Sequence, residues 1–190
     1  MNKKFLKENN FKKDGFTLIE TLVALAIFAF SITALISITA TGVFNTNFVK
    51  NKFTASYLAM EGAELVRNIR DTAFINNRTW SAIIADSSVL ANCYDQNFCY
   101  IDGEEFVAIP EAVLCSGNCP SLNYRQSRAS FNYSPVDGDN LESIFTRTIN
   151  IKPVPFAPES FRVVSSVEWL QGSEIRKVEY SYDLFNWAGQ

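Results

Sequence analysis

The stretch that decides the fold lies near the N-terminus and reads Lys12-Lys13-Asp14-Gly15-Phe16-Thr17-Leu18-Ile19-Glu20-Thr21-Leu22-Val23-Ala24-Leu25. Basic residues stop before Gly15, and a long apolar segment begins at Phe16. One carboxylate, Glu20, lies inside that segment. A lone acid in a membrane-spanning helix costs on the order of 2.5–3.5 kcal/mol at the helix centre and less near an end. Glu20 therefore needs a compensating partner, and the nature of that partner is the central functional question.

The apolar segment is long enough to cross a membrane. No charged residue occurs from Thr21 to Val49, and about 20 apolar residues span a bilayer as a helix, so 16–43 suffices. The lysines before it predict a cytoplasmic N-terminus with the remainder outside. A secretory signal is disfavoured because its apolar region has only about 7–15 residues and ends at a small-x-small cleavage site. A plain signal anchor fits the length and charge but leaves Glu20 unexplained.

Composition restricts the classes of function. The 190 residues are 47% apolar and 14% aromatic, which excludes general disorder. Residues 1–15 carry a net charge of +3, whereas the remainder has 12 basic and 18 acidic residues. An acidic exterior argues against broad nucleic-acid binding, which needs basic groups to displace counterions. The chain has no histidine, so the commonest general base and metal ligand is missing. No cofactor is expected.

The hexapeptide Gly15-Phe16-Thr17-Leu18-Ile19-Glu20 resembles the class III signal of type IV prepilins and type II secretion pseudopilins. The resemblance covers residues 12–40 and implies that a prepilin peptidase removes the leader 1–15 after Gly15, on the cytoplasmic side. It also implies N-methylation of the new terminus at Phe16. The apolar helix is then kept in the mature protein.

The same resemblance implies a partner for Glu20: the terminal amine of a neighbouring subunit. Opposite charges attract strongly where the dielectric is low, and such a pair would fix the axial register between helices. The simpler alternative is that Glu20 reaches back to the cytoplasmic headgroups. The implied partners are other pilin or pseudopilin subunits, the prepilin peptidase, the inner-membrane assembly platform and, before assembly, membrane lipid.

The second half of the helix, 44–75, is predicted to be amphipathic and to pack on a head. Apolar or small residues recur every three to four positions: Phe44, Phe48, Ala55, Leu58, Gly62, Leu65, Ile69 and Ala73. No proline precedes Pro110, so nothing forces a break by the usual route. Gly42 is the weakest point by helix propensity and a candidate for local unwinding in a filament.

The head, 76–190, is predicted to contain a cysteine-bearing connector (76–122) and an antiparallel sheet (123–190). Residues alternate in polarity over 145–151, 162–169 and 177–184, which is typical of antiparallel strands with one wet face. Residues 171–174 read as a hairpin turn, and a further strand is expected near 129–133. The fold class is therefore α+β, with a long helix packed on three or four strands, and it resembles the type IV pilin fold. The stretch 55–71 and the ending 184–187 resemble minor pilins, with Trp187 expected at the core edge.

The four cysteines lie in the head. Exported cysteines usually pair, and four of them allow three connectivities. Adjacent pairing is favoured, crossed pairing would tie the connector together more firmly, and a tetrathiolate zinc site is a third option. The cysteines are Cys93, Cys99, Cys115 and Cys119.

A short acidic stretch offers a weak candidate for calcium binding. Asp137, Asp139 and Glu142 supply hard oxygens at close spacing, but Ca²⁺ prefers six to eight oxygen ligands. A plain Asp-Gly turn between strands is the simpler interpretation.

Three functions from different classes follow. The first is a structural subunit, a minor pilin or pseudopilin of a filament. The second is a tip adhesin or DNA-binding minor pilin, which an exposed cluster of Arg125, Arg128, Arg147 and Arg162 would favour. The third, a membrane-anchored enzyme, would need convergent acids in a pocket, and the sequence shows no such pattern.

Overall fold

The computed structural model describes residues 15–84, 89–103, 110–157 and 160–186. The chain divides into two units at Thr46 and Asn47. The first helix, α1, comprises Leu18–Ile75, and it is the one helix in the described ranges that is long and apolar enough to cross a membrane. Two short helical turns follow, α2 at Trp80–Ile84 and a 3-10 turn at Ala91–Cys93.

Among the described residues of the second unit, seven strands form one antiparallel sheet. They are β1 Cys99–Ile101, β2 Ala112–Leu114, β3 Ser121–Arg125, β4 Ser130–Asn132, β5 Asn140–Pro153, β6 Ser160–Gln171 and β7 Glu174–Phe185. The long strand β5 organises the sheet. It pairs with β6, which pairs with β7, and it also pairs with β3 near its start and with β1 near Ile149. Because a strand has two edges, β1 and β3 share the edge opposite β6.

The α+β fold class is confirmed, with α1 packed on an antiparallel sheet. The sheet is larger than the three or four strands expected. The strand expected near 129–133 is confirmed as β4, and the extra strands are β1, β2 and β3. Strands β1 and β2 have three residues each, which is too short for a period of two to stand out from chance. Both lie inside the stretch predicted as connector, and β3 begins there. The predicted hairpin is confirmed, since Gln171 pairs with Glu174 across a turn in which Gly172 has φ +66°.

In the described part of the second unit, the core consists of two apolar clusters. One joins Leu65, Val66 and Ile69 of α1 to Ile149, Ile151 and Val163 of the sheet. The other joins Ala55, Leu58 and Ala59 to Leu122, Phe145, Val167 and Trp169. The predicted apolar stripe is thus buried from Ala55 to Ala73, whereas Phe44, which the stripe also included, is exposed.

A polar layer lies between the two clusters, where Gly62 of α1 faces Arg147 of β5 and Ser165 of β6. A Cβ atom at Gly62 would lie 2.5 Å from Ser165 Oγ and 2.9 Å from Arg147 Cδ. No side chain larger than hydrogen fits this point unless its neighbours shift. Gly62 therefore sets how closely α1 approaches the sheet.

Candidate assembly segment and polar sites of the head

The start of α1 carries the predicted processing and assembly residues. Gly15, Phe16 and Thr17 precede the helix, and Glu20 lies in its first turn. The Thr17 carbonyl accepts hydrogen bonds from the backbone N–H groups of Glu20 and Thr21, at 3.1 and 3.3 Å. A carboxylate in the first turn interacts favourably with the unpaired N–H groups of a helix N-terminus. The fold therefore tolerates the acid here, and both Phe16 and Glu20 are exposed.

All of the described residues from 15 to 46 are exposed, although most are apolar. Hydroxyl groups in this segment bond to carbonyls four residues earlier: Ser31 to Ile27, Thr33 to Ala29, Thr39 to Leu35, Thr41 to Ser37 and Thr46 to Gly42. Such local bonds remove the need for a polar partner outside the helix. The segment thus presents an apolar surface on all sides, as a helix surrounded by lipid or by other helices does.

Comparison with known proteins bears on this segment directly. Residues 10–36 match the model of the prokaryotic N-terminal methylation motif. This motif is the class III signal of type IV pilins, and the matched range contains Gly15, Phe16 and Glu20. The chain thus has a type IV pilin-like N-terminus, and its helix-on-sheet fold is consistent with the type IV pilin fold. No curated protein and no solved structure matches the chain, so the kind of pilin-like subunit follows from none of the comparisons.

The cysteines form two adjacent disulfides, Cys93–Cys99 and Cys115–Cys119. This adjacent pairing is the connectivity favoured above over the crossed and zinc-bound alternatives. The first disulfide is buried in the core beside Ile149, whereas the second closes an exposed loop. In the described ranges, no group of three or more histidine, cysteine or acidic residues is arranged to hold a metal ion.

The acidic stretch 137–142 is used in turns. Asp137 Oδ1 accepts from the backbone N–H groups of Asp139 and Asn140, at 2.8 and 2.7 Å. Asp139 accepts from the Ser127 backbone N–H at 2.8 Å and from the Ser127 hydroxyl at 2.6 Å. Hydrogen bonds from Asn140 hold the pKa of Asp137 below its ordinary value, and those from Ser127 do the same for Asp139. Glu142 is exposed on β5, so the geometry favours the Asp-Gly turn over a calcium loop.

The four arginines named as a potential basic patch do not form one. Arg147 is buried, with 1% of its side chain exposed, and it cannot contribute to a surface for DNA. Arg162 on β6 bonds to Asp183 on β7 at 2.7 and 3.0 Å. Arg125 lies 3.8 Å from Asp139, and Arg128 is exposed in the following turn.

Arg147 is a structural residue that links three elements. Its guanidinium donates to the Ile101 carbonyl at 3.0 Å and to the Leu58 carbonyl of α1 at 3.4 Å. Glu61 of α1 supplies a carboxylate at 3.4 Å. The guanidinium also lies 5.7 Å from the ring centroid of Tyr133, whose pKa is raised by burial. The sequence pattern could have predicted the burial of Arg147, because the alternation that turns Phe145 and Ile149 inward also turns Arg147 inward.

Some residues named in the sequence analysis lie outside the described residues: Lys12, Lys13, Asp14 and Trp187.

A second bond between the sheet and α1 was not predicted. The Tyr182 hydroxyl donates to the Ala63 carbonyl at 2.7 Å, and burial raises the pKa of Tyr182. Hydrogen bonds from Arg162 hold the pKa of the Asp183 carboxyl below its ordinary value.

Proposed function

We propose that this protein is a minor pilin or pseudopilin, a structural subunit of a type IV pilus-like filament. The observation that carries the proposal is the fully exposed apolar helix segment of 18–46, which begins at a matched methylation motif. A helix with this surface cannot remain in water, since an exposed apolar patch of this extent needs lipid or protein against it. Membrane lipid meets that need before assembly, and neighbouring helices meet it in the filament.

In this proposal a prepilin peptidase cleaves between Gly15 and Phe16, and the new amine of Phe16 is methylated. The inner-membrane assembly platform then moves the subunit from the bilayer into the filament. Before assembly the chain spans the inner membrane once, with the head outside the cytoplasm, and afterwards it lies in a periplasmic or extracellular filament. The role is structural, with no catalytic step and no cofactor.

Glu20 has two tasks in this scheme. Its carboxylate meets the terminal amine of a neighbouring subunit, and the pair sets the axial register of the helices. Glu20 lies in the first turn of α1, four residues after Phe16, and this position supports the proposed pairing. A neutral residue at this point would be easier to insert into the membrane, so the acid is explained by assembly and not by insertion.

Processing is tested by co-expressing the full chain with a prepilin peptidase and measuring the mass of the product. We expect loss of residues 1–15 and a mass increase of one methyl group on the peptide that begins at Phe16. Retention of the leader in the presence of an active peptidase would contradict the proposal. A Gly15→Leu variant serves as the control that should stay uncleaved.

Assembly is tested by Glu20→Ala and Glu20→Gln in cells that assemble the filament. We expect normal membrane insertion and reduced recovery of the subunit in sheared filaments. Thr21→Ala, next to Glu20, is the matched control and should be incorporated normally. Undiminished incorporation of both Glu20 variants would show that the acid has no pairing role.

A further inference from the structure

The outer face of the sheet, opposite α1, carries a trough that the filament role does not use. Its volume is about 660 Å³, within the range of about 300–1,000 Å³ that is usual for small-molecule sites. Its floor is formed by β5, β6 and β7, and the loop closed by Cys115–Cys119 forms a wall. We propose that this trough binds an uncharged oligosaccharide, an inference that goes beyond the proposed filament role and does not depend on it.

The lining combines hydrogen-bonding groups with apolar surface. Thr146 and Thr148 of β5, Ser121 of β3 and Asn118 of the wall loop supply hydroxyl and amide groups. Aliphatic side chains from Ile144, Leu170 and Ile175 make up one end of the floor, and all three are exposed. A sugar ring has the same combination, with hydroxyl groups around its edge and C–H groups on its faces. The Ser121 and Thr146 hydroxyl groups lie 3.5 Å apart and bond to each other, but each hydroxyl can make further hydrogen bonds to a ligand, and a lipid chain would make none.

Charge in the trough argues for a neutral ligand. Among the described residues that line the trough, the charged ones are Glu168 and Lys177, whose Oε1 and Nζ atoms lie 3.8 Å apart across β6 and β7. Lys177 Nζ also lies 2.8 Å from Oε1 of Glu179, so its charge is shared between two carboxylates. Nucleic acid and phosphate ligands need a surplus of positive charge, and the trough has none.

The backbone around one exposed aromatic ring is held rigidly. Phe98, 52% exposed, lines the trough and immediately precedes Cys99 of the buried disulfide. The Phe98 carbonyl accepts a hydrogen bond of 2.9 Å from the backbone N–H of Cys115, and Cys115 begins the second disulfide loop. Both disulfides therefore fix the position of Phe98. Such preorganisation lowers the entropic cost of binding, and a flat aromatic face is suited to stacking on the C–H face of a sugar.

An extended peptide fits the trough less well. Peptides that bind to sheets usually add a strand through main-chain hydrogen bonds at an edge. Across the floor the backbone groups are already paired, β5 with β6 and β6 with β7, and the second edge of β7 lies at the margin of the sheet. A peptide that lies over the floor could therefore use only side-chain contacts, and side-chain contacts are sufficient for a sugar.

The test uses the full-length protein in lauryldimethylamine oxide, a detergent without a sugar headgroup that could compete. Maltotriose, cellotriose and triacetylchitotriose are titrated separately by calorimetry and by saturation-transfer NMR. We expect at least one to bind with a Kd of about 1 mM or tighter, an affinity typical of a small neutral ligand. Failure of all three to bind at about 20 mM, well above that Kd, would overturn the proposal.

Variants then locate the site. Phe98→Ala and Thr146→Val should each weaken binding about tenfold or more, which corresponds to roughly 1.4 kcal/mol. Phe185→Ala removes a similarly exposed ring, 59% exposed, from outside the trough and should leave the affinity unchanged. Unfolding curves of all three variants establish that the head is intact. Equal binding by the wild type and both trough variants would place the sugar elsewhere and overturn the proposal, as would Phe98-dependent binding of hexathymidylate in place of the sugars.

Discussion

The two stretches of α1 that meet at Thr46 and Asn47 are built for different surroundings. From Leu18 to Thr46 the side chains are exposed and mostly apolar, and the hydroxyl groups bond within the helix. From Asn47 to Ile75 one face is buried on the sheet, and carbonyls of that stretch accept bonds from Arg147 and Tyr182. The first stretch is self-contained in its polar groups, whereas the second depends on the head. The same helix thus carries a surface for other molecules and a surface for its own core.

The largest expected effect comes from comparing one substitution in each stretch. Ile69 is 1% exposed and Ile36 is 64% exposed. We expect Ile69→Ala to lower the free energy of unfolding of the head by about 2–5 kcal/mol, because it leaves a cavity in the core. Ile36→Ala should change it by less than about 0.5 kcal/mol, as exposed substitutions usually do.

The measurement is denaturant unfolding of the full-length protein in detergent, followed by tryptophan fluorescence. The buried Trp169 reports on the core. A destabilisation by Ile36→Ala comparable to that by Ile69→Ala would show that the first stretch also packs on folded protein, and the comparison would fail.

The second test concerns the carboxylates on the two faces of the buried stretch. Glu61 lies 3.4 Å from the buried Arg147, whereas Glu64 forms an exposed pair with Arg67 one turn along the helix. We expect Glu61→Gln to cost about 1–3 kcal/mol, since it weakens the partner of a buried charge. The value is below that of a fully buried pair because the Glu61 side chain is 45% exposed. Glu64→Gln should cost less than about 0.5 kcal/mol.

Unfolding of both variants at low and at high salt provides the check. Salt should reduce the small contribution of Glu64 and leave most of the Glu61 effect, because partly buried pairs are screened less. Equal costs for the two variants would mean that Arg147 does not need the Glu61 carboxylate.

Much of the fold could be predicted because the signals were long. An uncharged run over 21–49, an apolar stripe from Ala55 to Ala73 and alternating runs over 162–169 and 177–184 exceed what chance produces. The two alternating runs lie in β6 and β7. Strands β1 and β2 could not be predicted in this way. β1 consists of Cys-Tyr-Ile and β2 of Ala-Val-Leu, and three residues cannot establish an alternation. Their place in the sheet is set by pairing with distant strands, which local sequence does not record.

The buried position of Arg147 was not predicted, and the cause is different. Charged side chains are rarely buried, although the alternation along β5 turns position 147 inward. The space for Arg147 is created by Gly62 on α1, which is 85 positions earlier in the chain. Only the juxtaposition of helix and sheet reveals that the glycine and the arginine belong together.

The third test removes a single hydrogen bond between the sheet and α1. Tyr182→Phe deletes the hydroxyl that donates to the Ala63 carbonyl, while the ring remains to contact Arg67, 5.0 Å from its centroid. We expect a loss of about 0.5–1.5 kcal/mol in the free energy of unfolding. Tyr57→Phe, on the exposed side of the helix, is the control and should be neutral. No effect of Tyr182→Phe would show that burial of the ring alone holds β7 to the helix.

The smallest effect is expected where a polar pair does not touch the helix at all. Arg162 and Asp183 bond across the outer faces of β6 and β7, and both are accessible to solvent. Arg162 lowers the pKa of Asp183. The pair therefore contributes stability above the ordinary Asp pKa of about 3.9, and this stability is lost as the pH falls through the lower pKa of the folded state.

We expect Arg162→Gln to raise the titration midpoint of the Asp183 carboxyl in ¹³C NMR. The midpoint of Asp139, which Ser127 lowers instead, should stay where it is. The bond from Tyr182 to α1 should also persist, because it starts from the opposite face of β7. A shift of the Asp139 midpoint, or loss of the Tyr182 bond to α1 in the same variant, would mean that the two faces of the sheet are coupled. Polar groups that hold the helix could then no longer be separated from polar groups that do not.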